Sequence, residues 1–244
     1  MAAAAVAQPA VVRTDPRLIV PLDVPSVAEA RETVARIGEP VGFYKVGLEL
    51  FATGEGMTLA RELKAQGKQV FIDWKLHDIG TTVQRAAAVL ADAGCDFLTV
   101  HGEPQVMASA VRGRGRSSLK ILAVTVLTSL SDEDLPEIGY ETTVRALVER
   151  RIHQAIAAGC DGVVCSPREA SLARDLGGRG FLVVTPGVRP DWSAKNDQAR
   201  AMTPMEALKA GASHIVCGRP ITAANDPHAA ALQVVGEMAQ APAA

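Results

Sequence analysis

Eight short runs rich in β-branched and aromatic residues alternate with helix-patterned segments along this chain of 244 residues. The runs are "RLIVPLDV", "FYKVGLE", "QVFIDWKL", "DFLTVHG", "KILAVTVL", "GVVCS", "FLVVTP" and "HIVCGR". Between them lie segments such as "SVAEARETVARIG", "GMTLARELKAQG", "TTVQRAAAVLADAG" and "TTVRALVERRIHQAIAAG", several of which stop on glycine. The stretches "AGCD" at 93–96, "AGCDG" at 158–162 and "AGASH" at 210–214 repeat one device: helix end, glycine turn, next strand. Eight such units predict an α/β fold, a single-domain (β/α)8 barrel, whose usual length is about 250 residues. A doubly wound open sheet is the competing arrangement. No composition shift marks a second domain, so the barrel is expected over residues 17–240, after a flexible N-terminal extension at 1–16.

Composition narrows the function classes. The formal net charge of -2 gives no global field to recruit nucleic acid or an anionic membrane. With 4% aromatic residues there is no basic patch with interleaved aromatics either. Cys95, Cys160, Cys165 and Cys217 form no C-x-x-C pair and sit in or beside apolar runs. That pattern reads as free buried thiols in a reducing cytoplasm. The opening "MAAAAVAQPAVV" lacks a basic n-region and is interrupted by Pro9, so it reads as an extension and not as a signal peptide. No apolar run approaches the roughly 18 residues of a membrane-spanning helix.

Against that apolar background, "VFIDWKLHDIGTTV" at 70–83 stands out. It reads as a buried strand yet carries Asp73, Lys75, His77 and Asp78. Strand side chains alternate, so Phe71, Asp73 and Lys75 share the inward face while Ile72, Trp74 and Leu76 face the helices. Asp73 and Lys75 then sit at the C-terminal end of the strand, where barrels of this kind build their sites. A lone Asp-x-Lys is equally a structural ion pair. Other strands also end in charge, however: Asp23 in "PLDV" and Lys45 in "FYKVG". Four charges converging on one mouth are costly to desolvate unless they meet each other or a ligand. His77 and His101 are expected as hydrogen-bonded packing residues near that mouth. No H-x-H or H-x-x-x-H spacing points to a metal site.

The other end of the pattern suggests an anion. "HIVCGRP" closes the last strand with Gly218 and Arg219, and "TPGVRP" closes the seventh with Arg189. Loops after strands seven and eight are the usual phosphate site of the fold. Glycine lets backbone N–H groups approach an anion, and arginine offers a planar fork of donors. The polar stretch "VRPDWSAKNDQARAMT" at 188–203 has the length of a lid, and Gln198 lies on it. There is neither a Walker loop nor G-x-G-x-x-G, so nucleoside triphosphates and dinucleotides fit poorly.

These residues together resemble orotidine 5′-phosphate decarboxylase of the bacterial type. "DWKLHDIGTTV" is similar to that family's D-x-K-x-H-D-I-P-x-T-V. "PLDV", "FYKVGLELF", "AVTVLTS", "DGVVCSPREA", "TPGVRP", "DQARAMTP" and "GRPIT" follow in matching order, over about residues 17–236. The resemblance implies a barrel homodimer with shared active sites. It would use no cofactor and no metal, and would convert orotidine monophosphate to uridine monophosphate and carbon dioxide in de novo pyrimidine biosynthesis. It implies that Asp73 and Lys75 are the catalytic pair and that Asp78 is an acid reaching into the partner subunit's site. Thr82 would make a ribose-side contact from the same partner. Asp23 and Lys45 match ribose-binding positions, and Thr128 a contact near the pyrimidine. Arg189, Gln198, Gly218 and Arg219 match the phosphate side.

The sequence departs from the family pattern in three places. Gly80 stands where proline is frequent, Thr81 where asparagine is frequent, and "HGEPQVM" where a small glycine-rich "HA-x-GG" is common. Two other functions remain as alternatives. One is a magnesium-dependent hexulose-phosphate synthase or keto-gulonate-phosphate decarboxylase with a similar D-x-K-x-x-D strand. The other is a catalytically silent phosphate-binding barrel.

Overall fold

In the computed structural model, which describes residues 14–193 and 202–241, eight parallel strands close into a barrel in chain order. They are β1 (Leu18–Pro21), β2 (Phe43–Gly47), β3 (Gln69–Leu76), β4 (Phe97–His101), β5 (Lys120–Val124), β6 (Gly162–Val164), β7 (Leu182–Pro186) and β8 (His214–Val216). Each falls inside one of the eight runs read from the sequence. The ring closes where Leu18 and Ile19 of β1 pair with Ile215 and Val216 of β8.

Helices cover the outside. They are α1 (Val27–Ile37), α2 (Leu48–Ala52), α3 (Gly56–Ala65), α4 (Gly80–Asp92), α5 (Pro104–Arg114), α6 (Asp134–Glu137), α7 (Val144–Ala158), α8 (Ala170–Gly177), α9 (Pro204–Lys209), α10 (Arg219–Thr222) and α11 (Pro227–Met238). Their starts follow side-chain capping. Ser26, Thr143 and Asp226 each accept a backbone N–H at an N-terminus. Thr203 and Glu206 form a reciprocal capping box on α9.

The repeated "AG" stretches do two jobs. Gly94 and Gly159 lie at φ 72° and 78°, a conformation open to a residue without Cβ, and so they end α4 and α7. The polar residue two positions later clamps the neighbouring strand. Asp96 accepts the Val70 N–H at 2.7 Å and the Lys64 ammonium at 2.7 Å. Asp161 accepts the Ile121 N–H at 2.9 Å, and Ser213 accepts the Val183 N–H at 2.9 Å. Thus β3, β5 and β7 are each tied at their start by the residue that precedes the next strand, and the recurrence sets register.

Two apolar cores result. The larger lies between strands and helices. The smaller fills the barrel with Ile19, Phe43, Phe71, Phe97, Leu122, Val184 and Val216. Phe97 packs edge-on against Phe43 at 4.9 Å and Phe71 at 5.8 Å. This plug closes the barrel floor beneath the rim where the charges collect. The chain engages the body from Asp15, buried and paired with Arg17 at 2.7 Å. Residues 1–13 of the expected extension lie outside the described residues.

Candidate active site

β3 is not a regular strand. Ile72 pairs with Leu98 and Leu76 with Val100, so Asp73, Trp74 and Lys75 lie opposite the single Thr99. Two extra residues preserve the alternation of faces, where one would have reversed it. Trp74 therefore still faces out, its ring tilted against Phe51 at 4.1 Å, and Asp73 and Lys75 still face in. The bulge places Lys75 at φ 46°, the one non-glycine residue with positive φ among the described residues.

Four charges, from two strands and the loop after β1, form a line. Asp23 Oδ1 lies 2.9 Å from Lys45 Nζ. The same ammonium lies 3.3 Å from Asp73 Oδ2, and Asp73 Oδ1 lies 3.0 Å from Lys75 Nζ. Thr99 donates to Asp73 Oδ1 at 2.8 Å. Burial raises the Asp73 carboxyl, but Lys45, Lys75 and these hydrogen bonds outweigh it and hold it below the usual carboxylate range. Burial likewise opposes the charge on Lys45, and Asp73 and Asp23 more than restore it. Gly47 belongs to this arrangement: a Cβ there would stand 3.0 Å from Asp23 Oδ1 and 3.2 Å from Lys45 Nζ.

The line borders a cavity of about 330 Å³ at the C-terminal rim. Asp23, Lys45, Asp73 and Lys75 form one side, and Thr128 lies on the β5 side. Gly187, Arg189, Gly218 and Arg219 form the opposite, β7–β8 side. Val126, Leu127 and Val164 supply apolar wall between them. Gly218 packs against Pro21, whose Cγ would lie 2.8 Å from an added Cβ. One concave site thus joins a buried ion-pair line to an arginine-bearing end, with room for a flat ring between.

Other expected residues fall elsewhere. Asp78 and Thr82 are exposed and do not line the cavity of their own chain. Asp78 instead accepts the Ile79 N–H at 2.6 Å. Within one chain the alternating charges therefore run Asp23–Lys45–Asp73–Lys75. Gln198 lies outside the described residues. His77 and His101 stand ring to ring at 4.8 Å, with His77 Nε2 3.7 Å from Glu103. Burial lowers the His101 imidazole below its ordinary range. Sequence reading missed Thr99 and Gly47. Thr99 shares inward parity with Phe97 beside β3, and Gly47 ends the strand that carries Lys45, so both carried a signal.

Comparison with known proteins decides the family. Residues 16–234 match the model of the orotidine 5′-phosphate decarboxylase / HUMPS family. The chain belongs to this family. It is 72% identical to orotidine 5′-phosphate decarboxylase of Caulobacter sp. (strain K31) over 92% of this chain and 98% of that protein. It is 54% identical to the decarboxylase of Rhodopseudomonas palustris (strain BisB5), over 92% and 95%. The crystal structure of the orotidine 5′-phosphate decarboxylase from Lactobacillus acidophilus superposes with a TM-score of 0.80 at 37% identity. That match covers 92% of this chain and 99% of the other. The family match spans the whole barrel, so it includes every strand that contributes to the cavity.

Proposed function

We infer that the rim cavity is the active site of a decarboxylase. The chain is a carboxy-lyase that converts orotidine 5′-phosphate to uridine 5′-phosphate and carbon dioxide in pyrimidine biosynthesis. The observation that carries this reading is the match to the decarboxylase family over residues 16–234. The charged line and the arginine-bearing end fit the two ends of such a substrate.

The chemistry explains why a barrel mouth would hold this line. Loss of carbon dioxide from the orotate ring leaves an electron pair in an in-plane sp2 orbital, orthogonal to the π system. Ring resonance cannot spread that charge. A fixed positive charge beside the carbon can lower its energy. Lys75 supplies it and then delivers the proton that completes the product. At about 4 Å and an effective dielectric of ~20, this contact is worth roughly 4 kcal/mol. The rest of the barrier is met by positioning and by binding energy at the phosphate end, from Arg189, Gly218, Arg219 and Gln198. Asp73 holds the Lys75 ammonium and crowds the departing carboxylate. Asp23 and Lys45 bind the ribose, and Thr128 contacts the pyrimidine.

The full site, in this reading, needs a second copy of the chain. Asp78 and Thr82 are exposed outside the lining of their own cavity, and Leu48, Phe51 and Ile79 on the same rim are exposed. An apolar rim carrying one acid and one hydroxyl fits a homodimer in which each chain completes its partner's site. We place this dimer in the cytoplasm, where its four unpaired buried cysteines would stay reduced. No helix among the described residues is long and apolar enough to cross a membrane.

No metal or cofactor enters the proposed step. The Asp73 carboxylate already pairs with two ammonium groups, and Asp23 with one. The relatives named above are orotidine 5′-phosphate decarboxylases, which argues against a magnesium-dependent hexulose-phosphate synthase or keto-gulonate-phosphate decarboxylase. The test is the absorbance change of orotidine 5′-phosphate with purified protein, with and without a strong chelator. Full activity in both is expected. Loss of activity in chelator, restored by magnesium, would return the synthase chemistry.

A further inference from the structure

The bulge in β3 creates a problem that one residue of β4 resolves. Three residues stand opposite Thr99, so the N–H of Lys75 lies where the regular ladder is interrupted. The Lys75 backbone also sits at φ 46°, a disfavoured conformation for a residue with a Cβ. The Thr99 hydroxyl accepts this N–H at 3.0 Å and donates to Asp73 Oδ1 at 2.8 Å. The same carboxylate oxygen takes the Lys75 ammonium at 3.0 Å. One buried hydroxyl therefore closes a ring through the backbone of Lys75, its ammonium and its counter-ion. Thr99 is fully buried and is not among the residues lining the cavity.

We propose that Thr99 is a positioning residue for the decarboxylation: its hydroxyl fixes the backbone of Lys75 and the carboxylate of Asp73 together, so that the ammonium is aimed before substrate arrives. This rests on the reading of Lys75 and Asp73 as the reacting pair. A hydroxyl suits the task because it both donates and accepts at one point. Valine would fill the same space and do neither. Asp73 is faced by Lys45 from β2, Lys75 from its own strand and Thr99 from β4, with Asp23 reaching it only through Lys45. Removing the hydroxyl takes away a hydrogen bond that favours the ionised carboxylate, so the acid limb of activity moves to higher pH.

The experiment compares Thr99→Val, Thr99→Ser and Lys75→Ala in the full chain, by kcat, KM and the pH profile of kcat. For Thr99→Val, kcat should fall about 10- to 100-fold with KM changed less than about threefold and the acid limb raised. Thr99→Ser should stay within about threefold of the parent. A folded Thr99→Val protein with kcat within about twofold overturns the proposal, as does a loss that serine does not restore. Should the valine variant fail to fold, Thr99→Ala is the second hydroxyl-free protein and is judged by the same criteria. The parallel Lys75→Ala protein separates the two readings. Its retention of activity removes the reacting pair and the proposal with it, whereas its inactivity beside an unimpaired Thr99→Val removes the Thr99 proposal alone.

Discussion

A non-glycine residue in the left-handed region is disfavoured by roughly 1–2 kcal/mol, and Lys75 adopts it at φ 46°. The conformation carries the side chain to Asp73 at 3.0 Å while Trp74 stays packed on Phe51. Strain of this kind persists where surrounding structure over-determines it, here through the Thr99 and Asp73 contacts. Lys75→Gly should therefore keep or raise the melting temperature while abolishing turnover, a separation visible by comparing thermal melts with activity. At the opposite end of the cavity, Arg219→Ala should raise KM by about 10- to 100-fold and leave the melting temperature near that of the parent. An unchanged KM would remove Arg219 from the phosphate side.

At the scale of elements, the strands were legible because apolar β-rich runs bounded by glycine and polar turns leave few alternatives, and all eight runs contain a strand. The inward placement of Asp73 and Lys75 was also legible, from alternation. The bulge was not. Register depends on which residue of β4 meets which residue of β3, and no local pattern in "FIDWKL" encodes the pairing of Leu76 with Val100. Asp78 was visible as a charge, but roles for it and for Thr82 came only from family resemblance, since neither lines the cavity of its own chain. Gly80, where the family often has proline, has a concrete setting at the start of α4: a Cβ there would lie 2.7 Å from the buried Ser109 Oγ on α5. Gly80→Ala should cost about 1–3 kcal/mol, and Ser109→Ala should recover much of it in a double-mutant cycle read by denaturant unfolding. The strand clamps give a second check. Asp96→Ala leaves the Val70 N–H and the Lys64 ammonium without their acceptor, and should cost roughly 1–3 kcal/mol.

For the whole molecule, the floor of the barrel sets an acid limit. His214 packs against Phe43 and Phe97 and contacts Ser213, with Asp15 and Arg17 nearby. Burial lowers its imidazole from 6.5 to about 4. The unfolded chain then binds this proton more readily than the folded one, so stability falls as pH drops from about 6.5 through 4. The loss from this group approaches about 3 kcal/mol. Burial moves His101 in the same direction. Denaturant midpoints across that window should fall less steeply for His214→Phe, and an unchanged slope would place the acid sensitivity elsewhere. The proposed homodimer makes its own prediction. Lys75→Ala and Asp78→Ala proteins should each be nearly inactive. Hybrid dimers carrying one of each should regain one intact site of two, and verified hybrids without activity would contradict shared sites.

The central claim is that one ammonium, held by Asp73 at 3.0 Å, stabilises the carbanion formed when carbon dioxide leaves. Its most direct test is the rate of orotidine 5′-phosphate decarboxylation by Lys75→Ala against the parent protein. With both confirmed folded, a fall in kcat of about 10³-fold or more is expected from the loss of a roughly 4 kcal/mol contact. A kcat within about tenfold of the parent would contradict the account.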